Sequence, residues 1–358
     1  MKIERINDWF ARRGKWMIQR RWLVLSLSIL VFAIGFTGLR YFKVSASWED
    51  YFLEDDPMLV KTEEFKDIFG NDNFAAVLTR CDNLFTKENL QLIRELTNEM
   101  MDSLSYADKI TSLTDIEFMV GSEEGMTIEQ IVPETIPSDP AQLEEIRHKA
   151  YLKPHVAERL VSKDGTLSWI ILKLRTFPED SVWNKGKNAV APEVLTGNEL
   201  EHIITKDKYQ KLHPKGTGLP YVTAMKMKWI SKEMPRVLGI ATLISILILL
   251  LVTRSFRGVV VPLVTAVGSI IIVYGMLGYV GMTIDSGMVM IPMLLTFAVS
   301  IAYNIHVYSY FKRQFLMHGK RTQAVEETVR EMGWPVLFSA LTTFAALLSF
   351  LAIPMQPM

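Results

Sequence analysis

Residues 286–311 read SGMVMIPMLLTFAVSIAYNIHVYSYF, 26 positions without one Asp, Glu, Lys or Arg. A hydrocarbon layer about 30 Å thick is crossed by about 20 apolar residues in helical form. A helix also pairs its own backbone groups where no water can do so. The stretch therefore predicts a membrane span, and four others share its character: residues 22–39, 237–253, 258–284 and 332–358. Between the first two of these apolar stretches lies a long polar segment, large enough to carry a core of its own. The chain is 49% hydrophobic with 39 basic and 39 acidic residues, and these averages hide that segregation. The balanced total is silent on nucleic acid, and what matters is where the charges sit. They sit in the polar segment and at span ends, so no nucleic-acid partner is expected.

Charge placement orients the spans. Lys2, Arg5, Arg12, Arg13, Lys15, Arg20 and Arg21 precede the first span, against Glu4 and Asp8. Excess Lys and Arg favours the cytoplasmic side. Arg254 and Arg257 follow the second span, and Lys312, Arg313, Lys320, Arg321 and Arg330 follow the fourth, whereas the turn between the third and fourth holds only Asp285. All agree with an inside start. The stretch Leu39-Arg40-Tyr41-Phe42 is too bulky for a leader cleavage site, so the first span is read as uncleaved.

The expected organisation is a cytoplasmic interfacial helix (1–21), a first span (22–40), an external domain (41–233), spans at 236–254, 258–282 and 286–311, a cytoplasmic amphipathic helix (312–333) and a fifth span (334–354). Both amphipathic segments read as membrane-surface anchors: Ile6, Phe10 and Met17 lie near helical spacing, as do Ala324, Val325, Thr328, Val329 and Met332. Gly268, Gly275 and Gly278 in the third span allow close helix approach.

In the external segment, Asp56-Pro57 reads as an N-cap with proline at the first helical position, for a helix ending near Gly70. A strand is expected at 74–79, a helix at 87–104, a strand near 110–119, a short helix at 140–152, a strand at 167–174, a helix at about 197–211 and an extended piece near 216–222. Without the Glu- and Pro-rich insertion at 121–140, the order is β-α-β twice, a ferredoxin-like split unit. Cys81 is the only cysteine, and His148, His155, His202 and His213 are scattered without metal-ligand spacing. No metal, cofactor or catalytic residue is expected, and no enzyme. The acidic run Glu49, Asp50, Glu54, Asp55 and Asp56 reads as capping and solvation.

Local text adds a resemblance. Trp48-Glu-Asp-Tyr-Phe-Leu-Glu-Asp-Asp-Pro57, followed by Phe65-Lys-Asp-Ile-Phe-Gly70, is similar to the start of the external domain in the MMPL-like, hydrophobe-exporting branch of the RND superfamily. Gly216-Thr-Gly-Leu-Pro220 resembles that branch's TGLP segment, and Pro335-Val-Leu-Phe-Ser-Ala-Leu-Thr-Thr343 with Leu348-Ser-Phe350 resembles its fifth span. The resemblance implies an α-helical membrane bundle of the RND and sterol-sensing type, plus an α+β ferredoxin-like periplasmic porter domain, in the bacterial inner membrane. It also implies a sixth span and a second half. The chain stops at Met358, so it is expected to be a fragment or a shortened gene product.

In proton-driven relatives the fourth span carries a buried Asp, commonly as Asp-Tyr. Here Tyr303 matches the tyrosine and Ala302 stands at the aspartate's place. Tyr303, Asn304 and His306 are the candidates for coupling, because a histidine titrates near pH 6.5 and lies four residues beyond Ala302, on the same helix face. The alternative places His306 near the cytoplasmic interface, bonded to water or headgroups. Asp285 is expected to cap the N-terminus of the fourth span at the outer surface.

The resemblance implies a secondary transporter moving lipid or other hydrophobic molecules, coupled to the proton motive force. Its partners would be membrane lipids or hydrophobic small molecules as substrate, the missing C-terminal half or a second protomer, and a periplasmic protein. Two alternatives stay open: a sterol-sensing-type lipid sensor or scaffold, and an accessory of protein export like SecDF.

Overall fold

The computed structural model describes residues 2–45, 56–69, 73–122, 125–157, 159–178 and 190–349. The chain opens with α1 (Lys2–Gln19), α2 (Arg21–Gly38) and a short strand β1 (Lys43–Ser45). There follow α3 (Pro57–Phe69), β2 (Phe74–Arg80), α4 (Lys87–Ser103), β3 (Ala107–Thr111), β4 (Glu117–Ser122), β5 (Gly125–Gln130), α5 (Pro140–Leu152), α6 (Pro154–Ala157), β6 (Leu167–Leu174), α7 (Pro192–Ile204) and β7 (Lys215–Thr217). The last part holds α8 (Leu219–Thr253), α9 (Phe256–Val280), a strand β8 (Thr283–Asp285), α10 (Met290–His318) and α11 (Arg321–Leu348). Two compact units result, residues 57–229 and the parts of the chain on either side of them.

The unit of residues 57–229 is organised by a four-stranded antiparallel sheet in the order β3-β6-β2-β7. Helix α4 connects β2 to β3, and α7 lies between β6 and β7. Alternation in β6 buries Ser168, Ile170, Leu172 and Leu174 while Trp169 and Ile171 stay half-buried. Opposite them Val77 pairs with Ile170 and Ala75 with Leu172. Thr86 starts α4 by accepting a 3.3 Å hydrogen bond from the Asn89 amide. Leu90, Ile93, Leu96 and Met100, at helical spacing, are fully buried against the sheet and α7. Each such side chain contributes about 1.5–3 kcal/mol through burial.

Three expectations shift here. The strand near 110–119 is two strands, because Ser112–Ile116 folds into a turn with Asp115 and Ile116 amides donating to the Ser112 carbonyl. Beyond it β4 leaves the main sheet and pairs with β5 as a hairpin. The helix expected at 197–211 starts earlier, at Pro192, and ends at Ile204, with a separate 3₁₀ turn at Asp207–Leu212. That turn closes at His213 (φ 40°), the residue before Pro214, where right-handed helix is disfavoured. The final extended piece is only Lys215–Thr217. Gly218, at φ 103°, turns the chain so that Leu219-Pro220 opens α8. A side chain there would also press on the Phe74–Ala75 backbone. Of the acidic run, Glu49, Asp50, Glu54 and Asp55 lie outside the described residues, as do Trp48 and Gly70.

The other unit contains the apolar helices. Five helices are long and apolar enough to cross a membrane: α2 with its 3₁₀ extension, α8, α9, α10 and α11. Their outer faces carry Leu27, Leu30, Leu247, Leu251, Val264, Leu341 and Phe344, all exposed in the isolated chain, as lipid-facing surfaces require. The chain is a multi-pass membrane protein. Inside the bundle, Gly35 and Gly38 of α2 meet Gly275 and Gly278 of α9 backbone to backbone, while Gly268 merely touches Phe32 at 3.7 Å. Residues 312–318 extend α10, and 321–333 run unbroken into the apolar part of α11 through Pro335, so a separate amphipathic helix at 312–333 does not form.

Helix α1 and the first turns of α11 pack on each other. The Phe10 ring covers Gly333, Gly14 lies against Val329, Lys15 reaches Glu326 at 3.1 Å and Asp8 reaches Arg330 at 3.7 Å. Trp9 and Trp16 remain largely exposed on α1.

Candidate functional site

The fourth apolar helix, α10, carries the polar groups singled out by sequence. Tyr303 is half-buried and its hydroxyl stands 3.2 Å from Ser339 Oγ of α11. Asn304 turns back on its own helix, Nδ2 donating to the Ser300 carbonyl at 2.8 Å. Ala302 and His306 are both exposed, four residues apart on the open face of α10. The three candidates therefore do not converge. Tyr303 points to a neighbouring helix, Asn304 satisfies its amide locally, and His306 faces away from the bundle. Ser339 is the partner that sequence reasoning missed, although it sits inside the Pro335–Thr343 segment; its spacing from Pro335 gave no hint of which helix it would face.

Asp285 requires a correction. It is buried and ends β8 rather than capping α10. Helix α10 begins at Met290 behind Val289, which supplies no side-chain cap. Asp285 Oδ1 instead accepts from the Gly287 amide at 2.7 Å, and its carbonyl accepts from the Met288 and Val289 amides. The reason is that Ser286-Gly287 form a turn before the helix, so the nearest orphan amides belong to that turn. Tyr274 of α9 fixes the helix entrance, donating 2.6 Å to the Val289 carbonyl. β8 pairs in parallel with β1, with Val44 opposite Ile284 and Ser45 opposite Asp285. The connection between the third and fourth apolar helices is thus tied to the segment leaving the first.

The opposite end of α10 has its own fastening. Lys312 Nζ donates to the Thr253 carbonyl at 2.6 Å, and Tyr308 Oη donates to Ser255 Oγ at 3.2 Å. Thr253 is the last residue of α8, where unpaired carbonyls and the helix dipole favour a cation. Lys312 was legible only as an orienting loop charge; its contact was not.

In the unit of residues 57–229 the strongest electrostatic cluster surrounds Glu99 of α4. Burial alone would raise its pKa, but hydrogen bonds from Lys206, Lys208 and Tyr209 hold it down to about 2. Tyr209 donates at 2.6 Å and Lys208 lies at 2.7 Å, while burial and the Glu99 contact push the Tyr209 hydroxyl up to about 12. The cluster ties α4 to the 3₁₀ turn. Among the described residues, no group of three His, Cys, Asp or Glu side chains is placed to bind a metal.

No curated protein matches the chain. Residues 58–358 match the model of the MMPL family, which takes in the polar unit and four of the five apolar helices. The match covers most of the chain, and the chain belongs to the MMPL family.

Proposed function

We propose that this chain is part of an RND-type secondary transporter, moving lipid or other hydrophobic molecules out of the bacterial inner membrane at the expense of the proton motive force. The observation that carries this reading is the open face of α10, where Ala302 and His306 stand exposed beside the Tyr303–Ser339 contact. An ionisable side chain within membrane helices is usually retained for function, facing a bundle interior or a water-filled path. A second bundle, from another half or a second protomer, would cover that face and enclose the histidine.

The N-terminus is assigned to the cytoplasm and the unit of residues 57–229 to the periplasm, from charge placement. The strand order β3-β6-β2-β7 with crossover helices α4 and α7 supports reading that unit as a ferredoxin-like porter domain. No catalytic chemistry is assigned. A second reading, a lipid sensor of the sterol-sensing type, is favoured by Ala302 at the place of the acid.

Export of a fluorescent lipid from cells, followed against an imposed pH gradient, tests the assignment. His306→Ala is expected to flatten the pH dependence, and an unchanged profile removes the relay role. A wild-type chain that exports nothing at any gradient, yet binds lipid, leaves the sensor reading standing.

A further inference from the structure

The β4–β5 hairpin and helix α5 enclose a groove of about 190 Å³, separate from α10 and unused by the proposed coupling. Its lining is sorted by chemistry. Register pairs Phe118 with Glu129 on one hairpin face, and Ile131 follows just beyond the end of β5. Ile131 is buried in the core and closes the floor, while Leu152 stands 64% exposed on the lip. Lys149 and Lys153, four residues apart, bring two ammonium groups to the helical side. Lys153 sits 4.9 Å over the Phe118 ring, and Lys149 makes a 3.2 Å ion pair with Glu145 in which both side chains are more than half exposed. Such a surface pair is worth little and yields readily to another anion.

We infer that this groove binds the head of a singly charged anionic amphiphile, with the anion at Lys149 and Lys153 and the first acyl carbons on Phe118, Ile131 and Leu152. Three features select that class. Two cations stand against Glu129 and the displaceable Glu145, a near balance that suits a monoanion better than a dianion. An apolar floor directly beside the cations suits a molecule whose charge and hydrocarbon are adjacent. Pockets that enclose a whole small molecule run to about 300–1,000 Å³, so a groove of about 190 Å³ takes the head and the near carbons and leaves the tail outside. That geometry fits a handling station rather than a storage cavity. The inference rests on the transporter reading only for its purpose; the site itself stands on the groove.

The test is photolabelling of the whole chain in phosphatidylcholine nanodiscs with palmitic acid carrying a diazirine near its carboxyl end. Adducts mapped by peptide mass spectrometry are expected on segments holding Phe118 or Leu152. The double variant Lys149→Gln/Lys153→Gln is expected to lower labelling about tenfold, and Glu129→Gln to raise it two- to threefold. Lys149 is exposed and Lys153 half-buried, and an unchanged melting temperature verifies the fold. Equal labelling by the methyl ester, or labelling untouched by the double variant, overturns the site and leaves only apolar partition. Labelling as expected without lipid export removes the transport reading alone; export with no label in the groove removes the site alone.

Discussion

The two units of this chain are held together by opposite means. In the unit of residues 57–229 a continuous core runs from Ala75 to Leu212, built mostly of Leu, Ile and Val with Phe85, Met100 and Tyr209. In the other unit the buried apolar cluster shrinks to Leu249, Val259, Ala266, Phe297 and Ile301. There α2 and α9 close on one another through glycines, because lipid is as apolar as leucine and burying a side chain gains little. A solvent-driven core is lost gradually by removing bulk. A backbone contact is lost abruptly by adding it.

That contrast is tested most severely at Gly275. A Cβ there falls on the Gly35 carbonyl, and the groups facing it are backbone on both sides. Gly275→Leu is expected to abolish the folded, monodisperse protein in detergent, whereas Gly268→Ala, facing a ring edge at 3.7 Å, is expected to leave it intact. Equal behaviour of the two variants would break the distinction. The counterpart is Leu172→Ala, in the middle of β6 and fully buried. It is expected to destabilise its unit by about 2–5 kcal/mol. Thermal unfolding followed by intrinsic fluorescence should show the loss while the apolar helices stay assembled.

The same contrast explains what the sequence revealed. Membrane spans are written in long runs free of charge, so 237–253 falls inside α8, while 258–284 and 286–311 cover most of α9 and α10 and overrun them into β8 and the turn that joins the two helices. Strand 167–174 was equally plain, since it is a short run rich in branched and aromatic residues. Boundaries failed where tertiary contacts decide them. The Ser112–Ile116 turn separates Glu117–Ser122 from β3, but the pairing of that segment depends on a hairpin partner further along the chain. Asp285 carried the right residue type for a cap, but its partner amide depended on where α10 begins. Contacts such as Tyr303 with Ser339, and Lys312 with Thr253, join helices whose rotation no single run of sequence encodes. The glycine stripe was legible as packing; which of its members bear weight was not.

Electrostatics sharpen the comparison on the watery side. Glu99 is ionised far below the usual carboxylate range, so its contacts stabilise the fold fully above its ordinary pKa. That contribution fades as pH falls toward about 2. Glu99→Gln is therefore expected to lower stability by about 1–2 kcal/mol at pH 7. The gap between variant and wild type should narrow as pH drops below 4, when measured by thermal unfolding. A gap that persists unchanged to pH 2 would assign the effect to packing around Tyr209 instead.

The smallest effect is expected in the bilayer. The Tyr303 hydroxyl bonds Ser339 at 3.2 Å, and both helices stay in contact without it through neighbouring side chains. Hydrogen bonds between membrane helices average about 0.6 kcal/mol, since the separated helices find other partners in the membrane. Tyr303→Phe should therefore barely move the unfolding midpoint of the bundle. If Tyr303 belongs to a coupling path, the same variant should still alter pH-dependent lipid export, because the lost hydroxyl is a proton donor and acceptor and not a structural prop. A stability change well above 1 kcal/mol with export intact would invert that assignment, making the Tyr303–Ser339 contact a fastening of α10 to α11 like the one Lys312 makes to α8.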